Sequence, residues 1–213
     1  MRLNPLAGLA CACGMALLTM VSAGARDLFD DIYEKGKPLE ATLRTLTARF
    51  TETTTSSLLT RPLVSHGTLA VVRPNRIVLL YDDPDRRTVS IDGDVMRMVW
   101  PARSLDQRTN VGAAQRRIQQ YFVDKSPSEL RRHFDIAASV ATDRPGAWLV
   151  VMTPKRKQIK EGVATLELWL DQTSVMLQAM RMTFPNGDDK VMAFSDVKVN
   201  PEIDPSLFQI RTP

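Results

Sequence analysis

Apolar and polar positions along this chain change period near residue 48. Upstream, Leu28, Phe29 and Ile32 gather on one helical face behind Asp27, which can cap them. Beyond Gly36 and Pro38, the leucines at 39, 43 and 46 stand at i, i+4 and i+7 as a second helical set. From Ala48 the period is two. Ala48, Phe50, Glu52 and Thr54 alternate with Arg49, Thr51, Thr53 and Thr55, a Thr-rich stretch suited to a strand. Ser56–Pro62 reads as a loop. Val64–Arg73 and Arg76–Tyr81 follow as strands about a Pro74-Asn75 turn, and Arg87–Ile91 pairs with Val95–Trp100 across Asp92-Gly93. Val111, Ala114, Ile118 and Tyr121 then share a helical face. Ser126-Pro127-Ser128-Glu129 is a capping box with Pro at N1, predicting a helix to about His133. Strands resume at Phe134–Thr142, Trp148–Thr153, Ala164–Asp171, Val175–Phe184 and Lys190–Val199, and Ile203–Ile210 reads as a short turn and a last edge strand.

Some ten to eleven strands joined almost wholly by hairpins need no parallel crossover, so the sheet is expected to be antiparallel. A sheet of that size curls. The class is α+β, mainly β: an unclosed, strongly curved half-barrel with helices covering the concave face. On the third predicted strand Asn75, Ile77, Leu79 and Tyr81 share one face, while Val78 and Leu80 share the other with Arg76 and Asp82. The odd-numbered face should therefore point inward. Met96 and Met98, like Met176, Met180 and Met182, are spaced for single strand faces, and thioethers suit adaptable apolar sites. All of these positions also suit an ordinary packed core.

The first 25 residues change where the protein is expected to work. Arg2 precedes an apolar stretch from Leu6 to Val21, and Ala23-Gly24-Ala25 offers a small-x-small cleavage pattern, so residues 1–25 read as a secretory signal and 26–213 as one domain. The apolar run is short and Ala/Gly-rich for a membrane span. Cys11 and Cys13 both lie in the signal, which leaves the mature chain without disulfides, thiolate nucleophiles or Cys metal sites. Without Arg2, 27 basic residues face 24 acidic ones, a net charge of +3. That balance and export argue against nucleic acid as a partner. Neither Ser65-His66 nor His133 sits in a catalytic motif, so no catalytic residue, metal or cofactor is expected. Asp82-Asp83-Pro84-Asp85 lacks the glycine and closing glutamate of a calcium loop. Lys155–Lys160 is a basic hairpin loop, either a solvated tip or a docking patch for an acidic partner or anionic lipid.

Phe50-Thr51-Glu52, Gly67-Thr68-Leu69, Val72-Arg73-Pro74-Asn75, Asp83-Pro84-Asp85, Asp92-Gly93 and Pro101 occur in the order and spacing of one family. Phe194-Ser195-Asp196, Val199-Asn200, Ile203-Asp204 and Leu207-Phe208 match its closing pattern. The sequence resembles the LolA family of outer-membrane lipoprotein carriers over nearly the whole mature chain. The resemblance implies a helix-lidded open barrel around an apolar cavity, acting as a monomeric periplasmic carrier. Its cargo would be an acylated lipoprotein, received from an inner-membrane exporter complex and passed to an outer-membrane lipoprotein acceptor. The family's lid-tethering arginine falls on Arg73. A cavity-lining position falls on Ile77, and with it Phe50, Leu69, Val71, Leu79, Tyr81, Ile91, Met96 and Met98 form the candidate lipid-cavity set. Ala70, Leu79, Arg97 and Val99 stand where the family commonly places Trp or Tyr. Residues 107–142 diverge most.

An inward Arg73 needs several acceptors, which free carbonyls at helix ends would supply; a surface arginine at a strand end is the alternative. Three acyl chains carry roughly 45 methylenes, about 36 kcal/mol of transfer free energy at ~0.8 kcal/mol each. Noncovalent affinity stops near ~21 kcal/mol, so such a carrier must hold cargo incompletely in order to release it. Two other readings stay open: a carrier for another acyl lipid, and a periplasmic lipid-sensing regulatory module. Regulators of that kind usually carry a second domain, and the end of the chain at Pro213 favours the carrier.

Overall fold

The computed structural model describes residues 27–82, 84–113, 116 and 125–208. Helix α1 (Leu28–Thr42) leads into β1 (Thr45–Thr55), β2 (Leu63–Val72), β3 (Arg76–Tyr81), β4 (Thr88–Asp92), β5 (Val95–Trp100) and β6 (Leu105–Asn110). Helix α2 (Pro127–His133) precedes β7 (Phe134–Val140), β8 (Ala147–Pro154), the short α3 (Lys157–Lys160), β9 (Thr165–Asp171), β10 (Leu177–Thr183) and β11 (Asp189–Val199). A 3-10 turn, Pro205–Phe208, ends the described chain. All eleven strands form one antiparallel, unclosed sheet in the order β6-β5-β4-β3-β2-β1-β11-β10-β9-β8-β7. Two meanders, β1–β6 and β7–β11, thus meet at the β1–β11 pair.

Directly paired residues in antiparallel strands share a face. One row runs from Ala138 through Val150, Leu168, Met180 and Met192 to Glu52 and Ser65. Helices cover part of this concave, inner face. Phe29 and Ile32 of α1 and Leu130 of α2 bury themselves against Phe134, Val150 and Met152, forming the main core over β7–β9. The outer face carries two smaller cores. Trp169 packs with Ala141, Ala147 and Ala179, and Phe208 packs on Ala70 and Val78.

Local chemistry explains most of the elements. Asp27 Oδ1 accepts the Phe29 N–H at 2.9 Å, and Asp30 and Asp31 lie in the first turn, where the helix dipole favours carboxylates. The Ser126 capping box is complete, and its bonds hold the Glu129 carboxyl below the usual carboxylate range.

Four sequence expectations need correction. α1 is one helix that runs through Gly36 and Pro38, and Leu46 belongs to β1. Phe29 and Ile32 anchor the first half of the helix, and ties from Arg73 to the Glu40 carbonyl and from Asn200 to the Thr42 carbonyl hold the half beyond Pro38. β6 is an additional strand that the apolar pattern does not predict, because Leu105 is its one apolar residue; Arg97 on β5 grips Asp106 through Nε and Nη2 at 2.9 and 2.6 Å instead. The C-terminal segment forms a 3-10 turn with Phe208 buried, in place of the expected edge strand. Lys157–Lys160 is a helical turn rather than a plain hairpin loop. Residues 1–25, most of the Val111–Tyr121 helical set and Ile210 lie outside the described residues.

Candidate functional site

β3 sets the polarity of the site. Its odd positions face the same way as α1: Leu79 pairs with Leu69 and Val89, and Ile77 with Val71 and Ile91. Ile91 in turn opposes Met96, and Val89 opposes Met98. The sheet therefore brings Leu69, Val71, Ile77, Leu79, Ile91, Met96 and Met98 onto one continuous inner patch across β2–β5. All seven are half-buried. Of the four positions matched to family aromatics, only Leu79 shares this face; Ala70, Arg97 and Val99 have the opposite parity and lie outside.

Phe50 and Tyr81 also face inward but are sealed. They are 2% and 7% exposed, and their rings meet edge to face at 5.0 Å between centroids. Gly67 lies opposite both. A Cβ there would stand 2.2 Å from the Leu80 carbonyl and 2.7 Å from the Phe50 ring, so no larger residue fits. These two aromatics form the floor at one end of the patch.

Just past that floor lies a buried ionic cluster. The Glu52 carboxylate, 5% exposed, accepts from the Tyr81 hydroxyl at 2.9 Å and pairs with Lys190 at 3.2 Å and Arg87 at 3.5 Å. The Arg87 guanidinium lies 3.5 Å over the Tyr81 ring and also pairs with Asp85. Burial, reinforced by the neighbouring Glu52 charge, pushes the Tyr81 phenol up to about 12 against the opposing pull of Arg87. Glu52 and Asp85 fall in two of the stretches that carry the resemblance, but Arg87 and Lys190 do not, and only the fold joins the four. The acidic turn is spent on the same work: Asp85 serves Arg87, and Asp82 pairs with Arg49 at 3.3 Å.

At the other end of the patch Arg73 leaves β2. Its Nη1 donates to the Glu40 carbonyl in the last turn of α1 at 2.9 Å. One helix carbonyl is thus engaged rather than several, and the side chain remains exposed. Tyr33, Lys37, Ala41, Leu43 and Pro74 complete an open cleft of about 650 Å³ around this contact. Asn200 secures the same helix end. Its Oδ1 accepts from the backbone N–H of Arg44 at 2.7 Å, and its Nδ2 donates to the Thr42 carbonyl at 3.0 Å.

Another cleft, of about 530 Å³, opens on the outer face between β1–β3 and the C-terminal turn. Arg49, Asp196 and Lys198 line it beside Val78 and Leu207, a charged rim poorly matched to acyl chains. The inner patch is the better candidate. Among the described residues no group of three or more His, Cys, Asp or Glu side chains is placed to hold a metal ion.

An open antiparallel sheet whose apolar inner face is only partly covered by helices is the class of architecture that holds the site, and the comparisons narrow it. The sequence matches the family described as outer membrane lipoprotein carrier protein LolA over residues 41–211, and the chain belongs to that family. No curated protein matches it. A crystal structure of an uncharacterized conserved protein from Thermus thermophilus superposes with a TM-score of 0.54 at 7% identity, covering 87% of this chain and 94% of that one, which is a likeness of fold. The Mycobacterium tuberculosis lipoprotein LppX gives 0.48 at 13% identity, over 83% and 97% of the two chains. The Pseudomonas aeruginosa MucA/MucB complex gives 0.49 at 16%, over 85% of this chain and 60% of that one.

Proposed function

We propose that the protein is a periplasmic carrier that shelters the acyl chains of a lipoprotein on the inner patch of β2–β5 and moves it from an inner-membrane exporter to an outer-membrane acceptor. In this reading residues 1–25 direct export, residues 26–213 are a single monomeric binding domain, and no step of chemistry is performed on the cargo. The observation that carries it is the patch itself. In a family of lipoprotein carriers, seven large aliphatic and thioether side chains share one inner face yet keep part of their surface uncovered. Fully packed residues would have no surface left to offer a lipid. Methionines at two of the seven positions add the shape tolerance that mixed acyl chains require. Arg73 would hold the end of α1 closed over the empty face.

The direct test is mass spectrometry of lipid that co-purifies with the protein. An acylated lipoprotein or its lipid anchor should be recovered with the wild type and largely lost from Ile77→Glu and Leu79→Glu, since a carboxylate on the patch costs several kcal/mol to bury against lipid. Both variants should remain folded by circular dichroism, because the two positions are only half-buried. Wild-type lipid recovery from both variants would exclude the inner patch. Recovery of a free glycolipid or other non-peptide lipid would keep the patch and replace the cargo.

A further inference from the structure

We propose that the sheet edge bearing the β1–β2 hairpin tip docks on an anionic membrane surface, with the tip leucines entering the lipid interface. The tip is unusually apolar for a loop. Leu58 is 91% exposed, and Leu59, Leu63 and Val64 are 42%, 49% and 49% exposed, so four large apolar side chains stand in water on one short hairpin. Exposed apolar residues elsewhere, such as Val95 and Val140, stand on separate elements. The tip is also a defined turn. The Leu59 N–H donates to the Ser56 carbonyl at 3.0 Å, and the Ser57 N–H donates to Asp188 Oδ1 at 3.3 Å on the β10–β11 turn.

Strand register places a concentrated positive charge on the same edge. Thr55 opposes Asp189, Thr183 opposes both Asp189 and Thr165, and Met152 opposes Leu166. The β8–β9 connection, with Arg156, Lys157 and Lys160 exposed, therefore leaves the sheet on the side of the tip. Phe134 opposes Pro154, which brings the end of α2 alongside, and Lys155 Nζ binds the Arg131 carbonyl at 2.9 Å. His133 registers the resulting field. Burial lowers its pKa first, and then the charges of Arg156, Lys125 and Arg132 lower it further. Asp135 pairs with Lys155 at 2.9 Å, and Glu161, Asp188 and Asp189 are the other carboxylates of this side, against Arg61, Arg132, Lys155, Arg156, Lys157 and Lys160, which leaves cations in excess.

Neither signal suffices alone, but an apolar insertion combined with a basic patch is the pairing that gives stable attachment to anionic bilayers. The tip projects as a turn and forms no groove for a protein helix or strand. A second copy presenting this same basic edge would be repelled. The inference does not rest on the acyl-lipid reading, because it concerns the outer rim and is tested on protein without cargo.

The experiment is co-sedimentation of the protein, expressed from the full sequence and purified from the soluble fraction, with vesicles. Binding should appear with phosphatidylethanolamine–phosphatidylglycerol vesicles and be weak with phosphatidylcholine. Leu58→Asp/Leu59→Asp should weaken it by about tenfold or more. Lys157→Glu/Lys160→Glu should weaken it severalfold at low salt, with the difference fading as salt is raised. Both pairs are exposed, so melting temperatures should not move. The proposal is overturned if the wild type ignores anionic vesicles, if binding is indifferent to lipid charge, or if the leucine variant sediments like the wild type. It is equally overturned if the leucine variant instead abolishes a concentration-dependent dimer seen without vesicles, which would make the tip a self-association surface.

Discussion

At the scale of single residues, Tyr81 carries the sharpest consequence. Its phenol is pushed up to about 12, above its ordinary value of 10, mainly by burial and then by Glu52. An acid whose folded pKa is raised lends stability that is fully present below the unfolded value and lost as pH rises through the folded one. The folded protein should therefore lose on the order of 2–3 kcal/mol between about pH 10 and 12 through this group. Tyr81→Phe should flatten that part of the curve of melting temperature against pH relative to the wild type, and an unchanged slope would dissociate the phenol from the effect. The variant also leaves a Glu52 oxygen without its 2.9 Å donor, at a cost of about 1–3 kcal/mol near neutral pH. Alternation along β3 is enough to place Tyr81 inward with Ile77 and Leu79. The partners of its hydroxyl are not legible in the same way, since Glu52 and Lys190 approach it only through β1–β2–β3 and β1–β11 pairing.

At the scale of elements, α1 depends on how its far end is tied. Arg73 contributes one charged hydrogen bond to the Glu40 carbonyl, and Asn200 contributes three ties, to Thr42, Arg44 and Thr45. Asn200 adopts a left-handed backbone, φ 56°, which asparagine tolerates better than most residues. Arg73→Leu should raise the binding of an apolar dye to the empty protein while changing stability by no more than about 1 kcal/mol, because the pair is exposed. Asn200→Ala should cost about 1–2 kcal/mol, mainly because alanine fits the left-handed backbone poorly, while water takes over the exposed Arg44 N–H and Thr42 carbonyl. Equal dye binding by Arg73→Leu and the wild type would show that apolar packing alone holds the helix down. Helix boundaries are legible where the chemistry is local, as in the Ser126 capping box. Gly36 and Pro38 mislead, because tertiary contacts on either side of them, the buried Phe29 and Ile32 and the ties at the far end, override local propensity. β6 escapes for the opposite reason: a polar edge strand has no apolar period to detect.

At the scale of the molecule, the two meanders are unequally covered. β7–β9 carry the α1–α2 core, while the inner face of β2–β5 is only half-buried. Amide hydrogen exchange should therefore be slower in β8 and β9 than in β4 and β5, and lipid loading should slow the second pair selectively. Uniform exchange across both would count against a separately coverable face. Hairpin connectivity makes the open antiparallel architecture legible, but not which strands sit at its centre. β1 occupies the middle of the sheet with β11 as its neighbour, and these two are the most distant strands in the chain. β1 ends at Thr55 and β11 begins at Asp189, so in a chain that emerges N-terminus first one flank of β1 stays unpaired until most of the domain has followed it. During that interval the future centre of the sheet is a free edge, open to any strand that meets it first. The charges of Arg49 and Glu52 then act as guards against mispairing in the unfinished sheet, a duty that ends when β11 arrives.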